Sequence, residues 1–168
     1  MSYVNYEYYK TLYGDKAIAE TEFNRLSWDA EREVDKATSG VDGVRKLKIA
    51  FPTDEFDAEA VKRCICSLIA FMNEIEQAEA AANMSAQYTA REDGSMQGKI
   101  VASVSAGNES ISYAVGKTSD TATSAAIKSV KDKEQMIYQH IASKLSGISD
   151  ANGVNLLYAG RYPYLVRA

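Results

Sequence analysis

The chain has 168 residues, of which 46% are hydrophobic, and its 23 acidic and 19 basic side chains give a formal net charge of −4. This length suits one globular domain with an extension, and mixed charge without a basic block is not typical of a dedicated binder of nucleic acid or anionic membranes. The longest apolar run, from Cys64 to Met72, is too short to span a membrane. Because the N-terminal residues also lack the basic and apolar regions of a signal peptide, we expect the protein to be made and kept in a cytoplasm.

The first half of the sequence predicts three helices. Tyrosines recur at helical spacing before Gly14, which ends a short first helix. A second helix begins at Glu20, and its apolar stripe consists of Phe23, Leu26, Ala30, Val34 and Ala37. Trp28 lies off this stripe, and residues 46–51 then alternate in the manner of a short extended connection. After Pro52, the acidic segment TDEFD opens the strongest helical pattern, which contains Val61, Ile65, Leu68, Met72 and Ile75.

The stretch IVASVSAGNESISYAV, residues 100–115, alternates like a β-hairpin. A two-residue turn at Gly107 and Asn108 would place three apolar pairs on one face: Ile100 with Val115, Ala102 with Tyr113, and Val104 with Ile111. Such a ribbon cannot hold itself together, because ordering each residue costs roughly 1–2 kcal/mol and burying each large apolar side chain returns at most roughly 1.5–3 kcal/mol. Its apolar face must therefore dock either on this chain's helices or on a neighbouring subunit, and the sequence leaves both open.

Polar, flexible segments are expected on both sides of the hairpin, at residues 85–99 and 116–124. A last helix is predicted from the apolar residues Ile127, Val130, Ile137, Ile141, Leu145 and Ile148. The segment NLLYAGRYPYLVRA that follows is apolar and aromatic but contains glycine and proline, so it predicts an extended tail. The predicted fold class is mainly α, a small bundle of about four helices with one inserted β-hairpin. The hairpin, at residues 99–116, belongs to a helical domain of residues 1–150, and residues 151–168 form the extended C-terminal tail.

Few residues form a pattern typical of a catalytic, phosphate-binding or metal-binding site. The sequence has no glycine-rich phosphate loop and no set of residues at metal-ligand spacing. Cys64 and Cys66 would point about 200° apart on a helix, so they cannot bridge each other and are expected as buried structural thiols. His140, the sole histidine, is expected at the surface. We therefore predict no enzymatic activity, no metal and no cofactor.

Three basic residues, Arg45, Lys46 and Lys48, form a candidate contact to DNA, and a solvated loop is the simpler explanation of the same cluster. Tyrosine is concentrated at both ends of the chain, and it is a residue type enriched at protein interfaces. At the N-terminus the rings are expected to pack on the bundle, whereas in the tail we expect contact with another molecule. The candidate interface residues are therefore Leu156, Leu157, Tyr158, Tyr162 and Tyr164 in the tail, and Ile100, Val104, Ile111, Tyr113 and Val115 in the hairpin.

The segments YVNYEYYKTLYG, AIAETEFNRL, VKRCICSLIAF, VASVSAGNESISYAV and NLLYAGRY follow one another in an order that covers nearly the whole chain. In this order the chain resembles the head-tail connector (adaptor) proteins of long-tailed bacteriophages, a family of small helical neck-ring proteins. The resemblance implies a structural virion protein that forms a homo-oligomeric ring of about twelve copies under the portal protein. Such a ring extends the DNA channel and docks the head-closure or next neck protein, while packaged DNA passes through without specific binding. The family has no catalytic residues to carry over.

The resemblance also implies roles for two segments. The hairpin would contact ring neighbours or the next neck protein, and the tail, residues 155–167, would reach the portal. Relatives in the family often have a charged residue where Ala102 and Ser103 stand, and often end soon after the LLY segment, so RYPYLVRA is a departure. Two alternatives remain: another head-completion or tail-completion protein, which would tend towards a β-rich fold, and a small cytoplasmic helical binding module that uses VRKLK on nucleic acid.

Overall fold

The computed structural model describes the backbone of residues 2–85, 87–90, 96–103, 112–114 and 130–164, and the side chains of residues 2–78 and 132–164. The described chain is mainly helical, with helices α1 (Tyr6–Tyr13), α2 (Glu20–Ala37), α3 (Lys46–Ile49), α4 (Glu55–Ser85) and α5 (Val130–Leu145). It divides into two compact units, a helical unit made of Met1–Asn73 with Lys131–Ala168, and a second unit made of Glu74–Val130. No helix in the described part is both long and apolar enough to cross a membrane.

The first two helices begin and end at residues that local chemistry selects. The Asn5 side chain accepts a hydrogen bond of 2.8 Å from the Tyr8 backbone N–H and caps α1, and Gly14, with a positive φ of 54°, ends it. Helix α2 begins at Glu20, as predicted, and is followed by Thr38, whose hydroxyl donates to the Val34 carbonyl over 2.9 Å. Both predicted boundaries, at Gly14 and at Glu20, are confirmed.

Helix α4 forms the centre of the helical unit. The Asp54 carboxylate accepts hydrogen bonds from the backbone N–H groups of Phe56 and Asp57, at 3.0 and 3.1 Å, and so caps the start of the helix. The buried residues of α4 occupy more than one of its sides, as the sequence predicted, and include Val61, Cys64, Ile65, Cys66, Leu68 and Ile69. They pack in one core with Phe23, Leu26 and Val34 of α2 and with Ile137, Ile141 and Leu145 of α5.

Residues 46–51 are not the extended connection that their alternation predicted. Residues Lys46–Ile49 form the single helical turn α3, in which the Ala50 N–H donates to the Lys46 carbonyl over 2.8 Å. The alternation was misleading because it assigned Lys46 to the solvent side and Ile49 to the buried side. In the structure Lys46 and Leu47 are both buried, whereas Ile49 is exposed.

The second unit contains three described strands, β1 (Gln87–Ala90), β2 (Met96–Ser103) and β3 (Ser112–Ala114), in an antiparallel order β1-β2-β3. Strand β1 and the start of β2 lie within residues 85–99, where the sequence indicated a flexible polar approach. Ile100 pairs with Ala114, so its predicted pairing with Val115 is wrong. Tyr113 pairs with Val101, so its predicted pairing with Ala102 is also wrong, and a register irregularity lies between Val101 and Ser103. The predicted turn at Gly107 and Asn108 lies outside the described residues. The inserted hairpin is therefore not established, and it stays a prediction.

The C-terminal segment, defined here as residues 146–164, follows α5. Its described residues form turns and one isolated bridge between Ser149 and Asn155, without a helix or strand. Leu156 is completely buried in the core of the helical unit, and the Ala151 N–H donates to the Ala50 carbonyl over 3.2 Å. The segment predicted as an extended tail is therefore packed on the helical unit over its described length.

Candidate interaction surfaces

The C-terminal segment is held by a buried lysine. The Lys46 Nζ donates hydrogen bonds to the backbone carbonyl oxygens of Asn155, Leu156 and Tyr158, at 3.2, 2.9 and 2.5 Å. Burial lowers the Lys46 pKa, while the nearby carboxylates of Asp150 and Asp42 act in the opposite direction. Because this amine has no exposed surface and its hydrogen bonds are directed to carbonyls of its own chain, the predicted contact of Lys46 with DNA is wrong.

Two carboxylates hold the end of the same segment. Buried Asp150 accepts hydrogen bonds of 2.9 Å from the N–H groups of Asn152 and Val154 through one oxygen, and of 2.6 Å from the Tyr162 hydroxyl through the other. The Asp42 carboxylate accepts the Tyr162 N–H over 2.8 Å. Burial, followed by the hydrogen bond to Asp150, raises the pKa of Tyr162. Tyr162 is thus fixed at both its backbone and its hydroxyl.

Gly40 lets the loop after α2 approach the C-terminal segment closely. The Val41 N–H donates to the Ala159 carbonyl over 3.0 Å. A Cβ atom on Gly40 would overlap the carbonyl oxygen of Gly160, so a side chain there would hold the two loops apart. A Cβ atom on Gly160 would instead overlap the ring of Tyr158 in the same segment.

The predicted interface residues of the tail fall into two groups. Leu156 and Tyr162 are buried in this chain's own interior, so neither side chain has surface left for a partner. Leu157 is partly buried against the core. Tyr158 and Tyr164, in contrast, are 51% and 59% exposed on a backbone that the contacts above hold in place. The tail therefore presents two tyrosine rings, rather than the whole predicted set of residues.

The predicted interface residues of the hairpin cannot be located as a surface. The backbones of Ile100 and Tyr113 lie in β2 and β3, and their side chains are outside the described part. Val104, Ile111 and Val115 lie outside the described residues altogether. Their role in an interface stays a prediction.

The two other predicted basic residues, Arg45 and Lys48, are exposed and line an open groove of about 380 Å³. We call it the tryptophan groove, because the indole of Trp28 forms one wall, 64% exposed. The Arg32 guanidinium lies over this indole, 5.6 Å from the ring centroid. The remaining lining residues are Ser2, Ser27, Glu31 and Asp35. One sequence feature indicated this groove, the position of Trp28 off the apolar stripe of α2.

The floor and the rim of the tryptophan groove differ in charge. Glu31 and Asp35 are buried, and Glu31 Oε1 accepts hydrogen bonds from the Ser2 hydroxyl and the Tyr3 N–H, at 2.5 and 2.7 Å. Asp35 accepts the Tyr3 hydroxyl over 2.8 Å, and its other oxygen lies 3.7 Å from the Lys48 Nζ. The carboxylates are thus engaged with the protein, and Lys48 is engaged with one of them, whereas Arg32 and Arg45 are exposed residues.

The histidine is partly buried, not at the surface as predicted. His140 Nε2 lies 2.9 Å from the Ser67 hydroxyl oxygen, and the imidazole stacks on Phe71 with 4.8 Å between ring centroids. A serine and a histidine at this distance resemble the nucleophile and base of a hydrolase. The Ser67 hydroxyl also lies 2.9 Å from the Cys64 carbonyl oxygen, a bond that serine side chains commonly make inside helices.

Both cysteines are buried and free, as the sequence predicted. Burial raises the pKa of each thiol to about 12, which disfavours the thiolate that acts as a nucleophile. Among the described residues, no group of three His, Cys, Asp or Glu side chains is placed to hold a metal ion.

Comparison with known proteins identifies no relative: no family model, curated protein or solved structure matches the chain.

Two surfaces stand out in the described part of the chain, the tyrosine pair of the C-terminal segment and the tryptophan groove. Both are suited to binding another macromolecule, because each combines exposed aromatic rings with a backbone fixed by buried contacts.

Proposed function

We propose that this protein is a structural neck protein of a long-tailed bacteriophage, a head-tail connector or adaptor. In this proposal it forms a ring under the portal, extends the DNA channel and docks the next neck or tail component. It is made in the cytoplasm of a bacterial host and ends in the virion. The proposal begins from the order of sequence segments described above and is supported by the mainly helical fold.

The observation that carries the proposal is the C-terminal segment fixed on the helical unit. Lys46, Asp42 and Asp150 all hold its backbone or side chains, and the exposed rings of Tyr158 and Tyr164 lie on it. A contact surface that is ordered before binding loses little conformational entropy when the partner arrives. A permanent assembly such as a portal vertex needs a docking site of this kind.

The charge distribution favours a channel subunit over a nucleic-acid binding module. A protein that grips DNA needs several exposed cations, because each phosphate contact adds to affinity by releasing a counterion. Of the three basic residues predicted to contact DNA, Lys46 is buried and Lys48 is close to the carboxylate of Asp35. A net charge of −4 suits a ring through which DNA slides. The helical fold also argues against the alternative of a β-rich head-completion or tail-completion protein.

The decisive experiment is the native mass of the purified protein over a wide concentration range, alone and with the portal ring of the same phage. Negative-stain images of any large species accompany it. Closed rings of about a dozen subunits, alone or seated on the portal, would support the proposal. A monomer under both conditions would contradict it.

A matched pair of variants tests the docking surface itself. Tyr158→Ser and Tyr164→Ser together remove two exposed rings, so they should weaken binding to the portal ring without changing the circular dichroism of the subunit. Ile49→Ser removes an exposed apolar side chain, 57% exposed, that belongs to neither proposed contact, and it serves as the control for portal binding. Equal loss of portal binding in both would indicate that the C-terminal tyrosines have no special part in docking.

A further inference from the structure

The start of helix α4 has a surface that complements the tryptophan groove. Asp54, Glu55 and Phe56, which we call the acidic tip, are all exposed, and the Phe56 side chain is 76% exposed. A phenylalanine ring that is mostly exposed and flanked by carboxylates is suited to anchor a contact with another molecule. The acidic tip carries negative charge and an apolar ring, whereas the groove offers an exposed indole beside the exposed residues Arg32 and Arg45.

We infer that the acidic tip of one copy of this chain docks in the tryptophan groove of a second copy. In this contact the Phe56 ring packs against the Trp28 indole, and Glu55 faces the guanidinium groups of Arg32 and Arg45. The inference rests on the proposed function, because it names the contact between neighbouring subunits of the ring. It depends on complementarity of both charge and shape, since an aromatic anchor fills the groove while opposite charges surround it.

The buried carboxylates explain why the groove favours a protein segment over a phosphate backbone. Glu31 and Asp35 form its floor, and they would repel a phosphate that entered deeply. The uncharged Phe56 ring would not be repelled by these two carboxylates. The carboxylates of the acidic tip would stay at the rim of the groove, near the exposed residues Arg32 and Arg45. The groove therefore suits a ring with acidic neighbours, which is the pattern of the acidic tip.

The geometry of the contact predicts the kind of assembly. The acidic tip and the tryptophan groove consist of different residues, so in a head-to-tail pair one tip and one groove stay free. Such a heterologous contact repeats from copy to copy, and it gives a ring when the rotation closes. A closed dimer in which each tip fills the other copy's groove would use the same residues, and its native mass would contradict the ring.

Two variants separate the halves of this contact. The tip variant carries Glu55→Lys and Phe56→Ser, and it keeps Asp54 because that carboxylate caps α4. The groove variant carries Trp28→Ser and Arg32→Gln, so that the altered groove does not attract the altered tip. Each should require at least about tenfold higher concentration than the unaltered chain for half-assembly. Val41→Ser, at an apolar side chain that is 77% exposed elsewhere, should assemble as the unaltered chain does.

The mixture of the two variants gives the sharpest test. The tip variant retains an intact groove and the groove variant an intact tip, so an equimolar mixture should form a heterodimer and stop there, because the remaining tip and groove are both altered. Native mass spectrometry distinguishes this heterodimer from either monomer by mass. Circular dichroism and thermal unfolding of each variant verify that the subunit still folds.

The outcomes separate this contact from the proposed function. Rings of unaltered size from both variants would overturn the tip-in-groove contact and leave the ring function standing. Loss of rings without a heterodimer in the mixture would also overturn the contact. If the unaltered chain assembles only on the portal ring, assembly of each variant and of the mixture is measured in the presence of the portal ring and compared with that of the unaltered chain. A monomer under all conditions would overturn both the contact and the ring function.

Discussion

The Lys46 Nζ and the carbonyl oxygen of Leu156 are 2.9 Å apart, although 110 positions of the chain separate the two residues. The lysine belongs to the single turn α3, and Leu156 is buried in the core of the helical unit. This contact links the loop between α2 and α4 to the C-terminal segment. The position of the exposed Tyr158 therefore depends on hydrogen bonds from Lys46, a residue far from it in the sequence.

Replacing Lys46 by methionine should destabilise the protein, because it preserves much of the side-chain volume but removes the donor to three carbonyls. Each buried acceptor left without a donor costs roughly 1–3 kcal/mol, and loss of the lysine's own desolvation cost offsets part of this. We expect a net decrease of about 2 kcal/mol in the free energy of unfolding, measured by urea denaturation. Lys48→Met is the control, and it should cost less than about 1 kcal/mol because that amine is exposed.

The same variant should loosen the C-terminal segment within the folded protein. Trypsin cleaves after arginine, and Arg161 is exposed near the end of this segment. In Lys46→Met we expect faster native-state cleavage at Arg161 than in the unaltered chain, read by mass spectrometry. Cleavage at equal rates would mean that the carbonyl contacts of Lys46 do not hold the segment.

The two glycines at the loop contact should respond differently to alanine. At Gly40 the added Cβ meets a backbone carbonyl, so the two loops must separate, and we expect a cost of roughly 1–3 kcal/mol. At Gly160 it meets the ring of Tyr158, which is exposed and can rotate away, so the cost should be smaller. Thermal unfolding measures both. Gly43→Asn is the control, because nothing lies within 4 Å of that Cβ and asparagine tolerates its φ of 71°.

Local, periodic signals predicted the helical part of this fold. The start of α2 at Glu20 and the end of α1 at Gly14 follow from capping and glycine chemistry within a few residues. The buried face of α4 follows from apolar spacing. In contrast, α3 was missed because its formation depends on burying Lys46 against carbonyls that are 109 to 112 positions away. A pattern that assigns lysine to solvent cannot anticipate this.

The candidate surfaces were harder to predict because they combine distant segments. The sequence assigns Leu156 and Tyr162 to a partner because the tail is apolar and rich in tyrosine, which is enriched at interfaces. That argument overlooked the loop after α2. Asp42 of this loop accepts a hydrogen bond from the Tyr162 N–H, and Gly40 allows the C-terminal segment to approach the loop closely. The tryptophan groove likewise needs the N-terminus, α2 and α3 together, and only the off-stripe position of Trp28 indicated it.

The buried thiols should be nearly unreactive in the folded protein. Alkylation and disulfide exchange require the thiolate, and burial raises the pKa of Cys64 and Cys66 to about 12. We expect reaction with a disulfide reagent at neutral pH to be slow for both cysteines, and fast in concentrated guanidinium chloride. The absorbance of the released thiol measures both rates. Rapid reaction of one cysteine in the native protein would contradict its burial.

Alkaline pH should destabilise the protein through its tyrosines. Burial, followed by the hydrogen bond to Asp35, raises the Tyr3 pKa above its ordinary value of 10.0, and burial raises the Tyr9 pKa to about 12. Above about pH 10 the unfolded chain therefore loses phenolic protons that the folded chain keeps, and the free energy of unfolding falls as pH rises. Lys46 acts in the opposite sense, since its lowered pKa makes the folded chain lose its proton first. The tyrosines outnumber this one lysine, so the net effect is a loss of stability.

Tyr3→Phe isolates one contribution to this pH dependence. At about pH 8 the variant should be less stable by roughly 1 kcal/mol, because the hydrogen bond to Asp35 is lost. Above pH 10 its stability should fall less steeply than that of the unaltered chain, by at most about 1.4 kcal/mol per pH unit. The two curves should therefore converge between about pH 10 and pH 11.5 in urea denaturation. Parallel curves would mean that Tyr3 ionises alike in the folded and unfolded chains, and that its contact with Asp35 does not hold the phenolic proton.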